Sequence, residues 1–316
     1  MRALVLGASG FIGFPAAQAL SRAGYFVYGQ TRSEEKAKRL AVEEIFPIVC
    51  DPSSTSWHHL IPTLDVIIDT LHASDPNTYL TLFHGIESAT KSLRPASSPK
   101  LSFIFTSGTW PLGNQGYDLI LTDTTPVLDP TGTGPKAVEL ASSTNLDRSR
   151  VEQEILKSEI LNGIVVRPTL LYGRSGSIFS MMFERFRKEG RVSWLGTPGG
   201  KLTTIHQDDL ADLYVRTAEK AQVIGGLVFI AANSHSEDTD GFLRRFCEIV
   251  RVDGKEGPGG GYEYFEPTNV FEKAITTQQI VRPYLARTLL SWEPKKLGLT
   301  DGLELYWNAY LASVDK

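Results

Sequence analysis

Three glycines near the start of the chain, Gly7, Gly10 and Gly13, are spaced Gly-x-x-Gly-x-x-Gly. They follow the apolar run Ala3-Leu4-Val5-Leu6 without a spacer, and Phe11, Ile12, Ala16, Ala19 and Leu20 then recur at helical spacing. A strand that turns directly into a helix aims free backbone N–H groups and the positive end of the helix dipole at one point, where an anion is held. Gly7 takes the tight turn, Gly10 lets the backbone approach a pyrophosphate, and Gly13 lets the helix lie close to the strand. The segment Gly7-Ala8-Ser9-Gly10-Phe11-Ile12-Gly13 therefore reads as a dinucleotide-binding turn.

The second apolar run, Tyr25–Tyr28, ends in Gly29-Gln30-Thr31-Arg32-Ser33, with no Asp or Glu to hold a ribose diol. Arg32 offers a guanidinium instead, whose fork of N–H groups suits a phosphate. The expected cofactor is NADP(H), with Arg32 on the 2′-phosphate and Ser33 assisting. Ser33-Glu34-Glu35 also has the form of a helix N-cap with an acidic first turn.

The glycine spacing is similar to the opening of the short-chain dehydrogenase/reductase superfamily. The extended and atypical branches are nearest: nucleotide-sugar epimerases, dehydratases, dihydroflavonol reductases and their relatives. Three later segments extend the resemblance in the same order over residues 1–220. Val165-Val166-Arg167-Pro168-Thr169-Leu170-Leu171-Tyr172-Gly173 resembles the Arg-Pro-x-x-x-Tyr-Gly segment that passes the nicotinamide. Ile205-His206-Gln207-Asp208-Asp209-Leu210-Ala211 resembles a His-x-x-Asp-Leu-Ala motif, and Phe103-Ile104-Phe105-Thr106-Ser107-Gly108-Thr109 resembles the strand that delivers a catalytic Ser or Thr. The resemblance implies Asp51 near the adenine, the backbone at Leu71 along the cofactor, and cofactor contacts at Thr106, Arg150 and Pro168.

The family's chemistry rests on Tyr-x-x-x-Lys, in which the lysine activates a tyrosine that exchanges a proton with substrate while hydride moves at the nicotinamide. That dyad is missing. Matching Ser149-Arg150 to the usual Ser-Lys pair puts Leu146 at the tyrosine; matching Val151-Glu152-Gln153 instead puts Thr144 there and Arg148 at the lysine. No tyrosine lies between Tyr117 and Tyr172. The usual serine position falls on Gly108, flanked by Thr106, Ser107 and Thr109. Ser107, Thr109 and Tyr172 are the candidate catalytic residues, with Tyr117 or an ordered water as other proton sources.

Three functions follow. The first is an NADP(H)-dependent oxidoreductase with a non-standard proton donor, acting on a small apolar or aromatic molecule; Trp110-Pro111 and Trp194-Leu195, on expected substrate-side loops, suggest that class. The second is a non-redox isomerase or cyclase on the same fold. The third is an NADP(H)-sensing regulatory or interaction protein.

These residues require elements to position them. Strand candidates at Ala3–Leu6, Tyr25–Tyr28, Ile45–Val49, Val66–Asp69, Leu101–Thr106 and Gly163–Arg167 alternate with helical patterns over 11–23, 34–41, 53–61, 77–93 and 145–161. Such alternation predicts an α/β fold, a doubly wound parallel sheet of Rossmann-like type. Residues 1–170 are expected to form the dinucleotide-binding domain, with strands returning from about 202–231. Residues 171–316 are expected to form mainly a smaller C-terminal substrate cap. There a helix over 177–188, a turn-rich loop over 192–200, a strand at Leu202–Ile205, a helix over 207–221, a strand at Leu227–Ala231, a helix over 239–251, a glycine-rich loop at Gly254–Gly261 and a helix near 303–311 are expected.

Composition narrows the function classes. Of 316 residues 41% are hydrophobic and 22% charged, ordinary for a soluble protein, and the net charge of −4 without a basic stripe argues against a nucleic-acid partner. Cys50 and Cys247 are too few for a disulfide framework. No apolar run approaches the roughly 20 residues of a membrane helix, and with the first strand starting at residue 2 no cleavable signal or transit peptide is expected. A cytoplasmic protein, monomeric or homodimeric, with a small-molecule substrate and no metal is expected. His72, His58-His59 and Asp208-Asp209 are read as structural: a strand-end histidine, surface histidines and a helix cap. Phe179, Met181, Met182, Phe183 and Phe186 are read as core or pocket lining.

Overall fold

The computed structural model describes residues 1–73, 75–127, 143–174, 177–252 and 261–314. Its centre is a seven-stranded parallel sheet with helices on both faces, a Rossmann-like α/β fold. In chain order its first five strands are β1 (Arg2–Leu6), β2 (Phe26–Thr31), β3 (Phe46–Val49), β4 (Val66–Asp69) and β5 (Ser102–Thr106). The strands Asn162–Pro168 and Val228–Ala231 complete it, and the spatial order is Val228–Ala231, Asn162–Pro168, β5, β4, β1, β2, β3. Successive strands therefore run outward from β1 on one side and then resume on its other side at β4. The carboxyl ends of β1 and β4 form the switch point where such sheets open a crevice.

The inner strands β1, β4 and β5 are largely apolar on both faces because both faces are covered, whereas the edge strand β3 leaves Phe46 and Val49 exposed. Ala3 and Val5 point into one core, shared with α1 (Gly13–Arg22), α2 (Glu34–Val42) and α6 (Gln207–Lys220) through Leu20, Leu40 and Leu213. Leu4 and Leu6 point into the other, where Phe83 and Ile86 of α3 (Pro76–Leu93), Val151 and Ile155 of α4 (Ser143–Leu156), and Trp57 close over the sheet. A third core joins Phe183 of α5 (Ser180–Glu189), Phe246 of α7 (Thr239–Val252), Trp194 and Trp307 beyond the sheet.

Several local expectations change. The 53–61 pattern forms 3₁₀ turns over Thr55–Thr63, where Pro62 cannot donate a backbone hydrogen bond. Leu202–Ile205 splits into two strands in different small sheets. Lys201–Leu202 pairs antiparallel with Glu237–Asp238, and Thr204–His206 pairs parallel with Leu170–Tyr172. Between them the Thr203 carbonyl and hydroxyl are spent on Leu170 N and the Gln279 carbonyl. The 192–200 loop contains the strand Ser193–Leu195, paired with Glu263–Phe265. Helix α4 ends at Leu156, where Ser158 Oγ accepts from the Ile160 and Leu161 amides. The expected loop 254–261 lies, apart from Gly261, outside the described residues. Among the described residues no helix is long and apolar enough to cross a membrane.

Candidate cofactor cleft and reaction site

The glycine turn sits at the switch point. Gly7 has φ +76°, and a Cβ at Gly13 would press on the Gly7 carbonyl and stand 2.6 Å from Thr70 Oγ1, so only glycine lets α1 start this close to β4. Thr70 holds the other side, donating from both its amide (3.1 Å) and its hydroxyl (2.7 Å) to the Leu6 carbonyl. No side chain caps the first turn of α1. A 740 Å³ cleft opens over this turn, lined by Gly7, Ser9, Gly10, Phe11 and Ile12. Uncapped helix amides facing a cleft suit a phosphate.

From the turn the cleft runs two ways. Toward β2 it is lined by Gln30, Thr31, Arg32, Lys36, Asp51 and Ser53. Gln30 ties three strand ends together: its Oε1 accepts from Gly7 N (3.0 Å) and its Nε2 donates to the Cys50 carbonyl (2.6 Å). Arg32 and Lys36 are both exposed and both on this wall. Asp51 accepts from the Ser53 hydroxyl and amide, which hold its carboxyl below the usual range, with Arg32 contributing. Toward β4 the lining is Leu71, His72, Ala73 and Tyr79, with Leu171 opposite.

Beneath that second arm lies a polar cluster. Asp69, 2% exposed at the end of β4, accepts from Leu71 N (2.9 Å), and burial pushes its carboxyl up to about 7 despite the nearby Arg148 charge. Arg148 Nη2 donates to the Tyr79 hydroxyl (2.9 Å), which also accepts from Ala73 N (2.8 Å). The guanidinium also lies over the Tyr79 and Phe105 rings.

Of the predicted site residues, Gly7, Ser9, Gly10, Phe11, Ile12, Arg32, Asp51 and Leu71 come together on the cleft wall. Ala8 and Gly13 are buried behind it and shape the turn. Ser33 is not on the wall: its Oγ accepts from Lys36 N as the cap of α2. Thr106 is turned inward, its Oγ1 2.6 Å from the Tyr214 hydroxyl. Pro168 is not on the wall either, and Arg167 beside it is buried against Glu152.

Three expectations are corrected. Arg150 faces solvent and pairs with Glu154 (3.1 Å), whereas Arg148, two residues earlier on α4, turns toward the cleft. Tyr172 is fully buried and off the cleft wall; its hydroxyl donates to the Leu297 carbonyl (2.7 Å) and accepts from Asn233, and burial pushes the phenol far up. Trp194 is not on a loop: it lies in the strand Ser193–Leu195, is 3% exposed and stacks on Phe179 in the third core. Ser107 and Thr109 do stand at the end of β5, but off the cleft wall. Ser107 Oγ is buried and finds no partner among the described residues. The Thr109 and Gly113 carbonyls are both held by Gln279 Nε2.

Gln30, Lys36, Thr70 and Tyr79 on the cleft wall, and Arg148 bonded to Tyr79, are among the residues that local sequence missed or left open. Lys36 had a signal, being one helical turn beyond Arg32. Tyr79 had none, since nothing near it in the chain marks it.

No protein-family model and no curated protein matches the chain. Solved structures do match, along essentially the whole chain. One is a dTDP-glucose 4,6-dehydratase of Bacillus anthracis in complex with NAD, with TM-score 0.77 and 16% identity over 100% of this chain and 98% of that one. A UDP-glucuronic acid 4-epimerase of Bacillus cereus, also in complex with NAD, has TM-score 0.74 and 18% identity over 100% of both chains. The chain has the epimerase/dehydratase fold. A Thermotoga maritima UDP-glucose 4-epimerase, with TM-score 0.74 and 19% identity over 100% of both chains, shares that fold. At such identities the epimerase/dehydratase fold speaks for the architecture alone, and chemistry must be argued from the site.

Proposed function

We propose that the protein is an NADP(H)-dependent oxidoreductase acting on a small apolar or aromatic molecule. The observation that carries this reading is that Arg32, at the end of β2, and Lys36, on α2, share the cleft wall, while no Asp or Glu ends β2 and the Asp51 carboxylate on that wall accepts from Ser53. Two cations there suit a 2′-phosphate, whereas a carboxylate would suit a free ribose diol. The cleft residues fit the rest of the group: the glycine turn for the pyrophosphate, and Leu71–Ala73 with Leu171 for the far end. Bound there, NADPH supplies a hydride to an acceptor carbon. The apolar class of substrate is supported by Trp110, half-buried after β5 and edge-on to Phe271.

A paired titration of nucleotide-free protein with NADPH and NADH, followed by cofactor fluorescence, tests the reading. Tight NADPH binding with much weaker NADH binding is expected. Binding of neither would assign the cleft to non-redox chemistry and remove the reading.

A further inference from the structure

A reductase must deliver a proton to the oxygen of the group it reduces, and the chain has no tyrosine between Tyr117 and Tyr172 to do so. Three other tyrosines near the sheet and its cap are committed elsewhere. Tyr172 is bonded into the third core, Tyr214 is buried against Thr106, and Tyr117 accepts from Lys201 N in a separate cavity. Tyr79 is the tyrosine on the cleft wall among the described residues.

Its hydroxyl is held by groups from the segment after β4 and from α4. Asp75 caps α3 by accepting from Asn77 N, so Tyr79 falls in the first turn, its ring edge-on to Phe105 at the end of β5. Two N–H groups already donate to the phenol oxygen, one from Ala73 and one from the Arg148 guanidinium. The acceptors left for its own proton are the carbonyls of Leu71 at 3.3 Å and Ala73 at 3.5 Å, both long. The phenol oxygen thus receives two N–H bonds, one of them from a cation, while its own proton has only long contacts to accept it.

We propose, on the basis of the NADP(H) reductase reading, that Tyr79 is the proton donor and Arg148 its cationic partner, an acid assembled from α3 and α4. In carbonyl reduction the carbon gains a hydride, with two electrons, from the reduced nicotinamide. The C=O π bond breaks and its oxygen takes the Tyr79 proton, so an alcohol forms and the nicotinamide is left oxidised. The Tyr79 oxygen is then negative between Arg148 and the Ala73 amide, and it regains a proton from water entering beside the exposed His72. The other ionisable groups at this end of the cleft are Asp69 beneath the turn and Asp75 at the start of α3.

The test uses full-length wild type, Y79F, R148M and R148K, with NADPH and the probe acceptors 4-nitrobenzaldehyde and 9,10-phenanthrenequinone. Y79F is expected to lose kcat by roughly 100-fold or more, with its NADPH Kd, read by fluorescence, changed less than about threefold. R148M is expected to lose kcat beyond any change in Kd, and R148K to recover part of it. In ¹³Cζ-tyrosine spectra the resonance missing from Y79F is expected to move in R148M and on adding NADPH. Wild-type kcat in Y79F overturns the proposal and leaves the NADP(H) reading standing. So does a loss carried wholly by weaker NADPH binding, which makes Tyr79 a clamp on the cleft wall. If Y79F does not fold, wild-type kcat in R148M overturns it. A wild type that binds NADPH and reduces neither acceptor removes reductase and proton donor together.

Discussion

Arg167 and Glu152 form an ion pair inside the protein, 3% and 1% exposed, in which both Nε and Nη2 of the arginine reach the carboxylate. Arg167 belongs to the strand next to β5, and Glu152 to α4. Arg148 lies one turn before Glu152 on the same helix face. The pair therefore fixes the rotation of α4 that carries Arg148 to Tyr79 and sends Arg150 to solvent. Removing one partner would leave a buried charge uncompensated. Urea unfolding of E152Q or R167M is expected to show a loss of about 3–5 kcal/mol, and the double variant E152L/R167M much less.

Arg32 and Lys36 are expected to act on the 2′-phosphate and on nothing else. Each offers a charge-assisted hydrogen bond, and their exposure to solvent and salt weakens it. R32A should weaken NADPH binding about tenfold and R32A/K36A further, while NADH binding stays within about twofold. Fluorescence titration of the variants with both nucleotides checks the selectivity. Equal effects on the two would place the cations away from the 2′ position.

The hydroxyl of Tyr172 should matter to stability and not to turnover. Y172F loses bonds to the Leu297 carbonyl and from Asn233 Nδ2, but Leu297 keeps Tyr306 and Asn233 keeps Thr204. A destabilisation of about 1 kcal/mol is expected, with NADPH affinity and kcat unchanged. A large loss of kcat in this variant would return Tyr172 to the reaction.

Asp69 gives a pH dependence of definite sign. Its folded-state carboxyl is raised to about 7 from an ordinary 3.8, so between those values the folded chain binds the extra proton. This contribution to stability therefore falls as pH rises through that window, on the order of 1.4 kcal/mol for each unit of difference. His206 works oppositely: burial pushes its imidazole down to about 4, so its contribution is lost as pH falls from 6.5 toward 4. D69N removes the first slope and keeps an oxygen for Leu71 N. It should be more stable than wild type at pH 8, with the gap closing toward pH 4 in chemical unfolding.

Much of this protein is written locally. The inner strands of the sheet show as short apolar runs because a parallel strand buried on both faces needs one, and the helices between show their 3.6-residue period. The glycine turn and Arg32 are legible for the same reason, since a turn and the residue ending a strand are matters of neighbours in sequence. The two-residue strands Ile120–Leu121 and Ile280–Val281 are too short to carry any period, and only their pairing across the molecule defines them. The site chemistry is decided in the same nonlocal way. Whether Arg148 or Arg150 faces the cleft depends on how α4 is rotated, and a buried partner from another strand sets that. Tyr79 meets Arg148 across 69 residues of chain, and Tyr172 is withdrawn into a core whose other members are spread from Phe179 to Tyr310. Periodicity determines which elements form and which face is apolar; only packing decides which polar side chains then share a cavity.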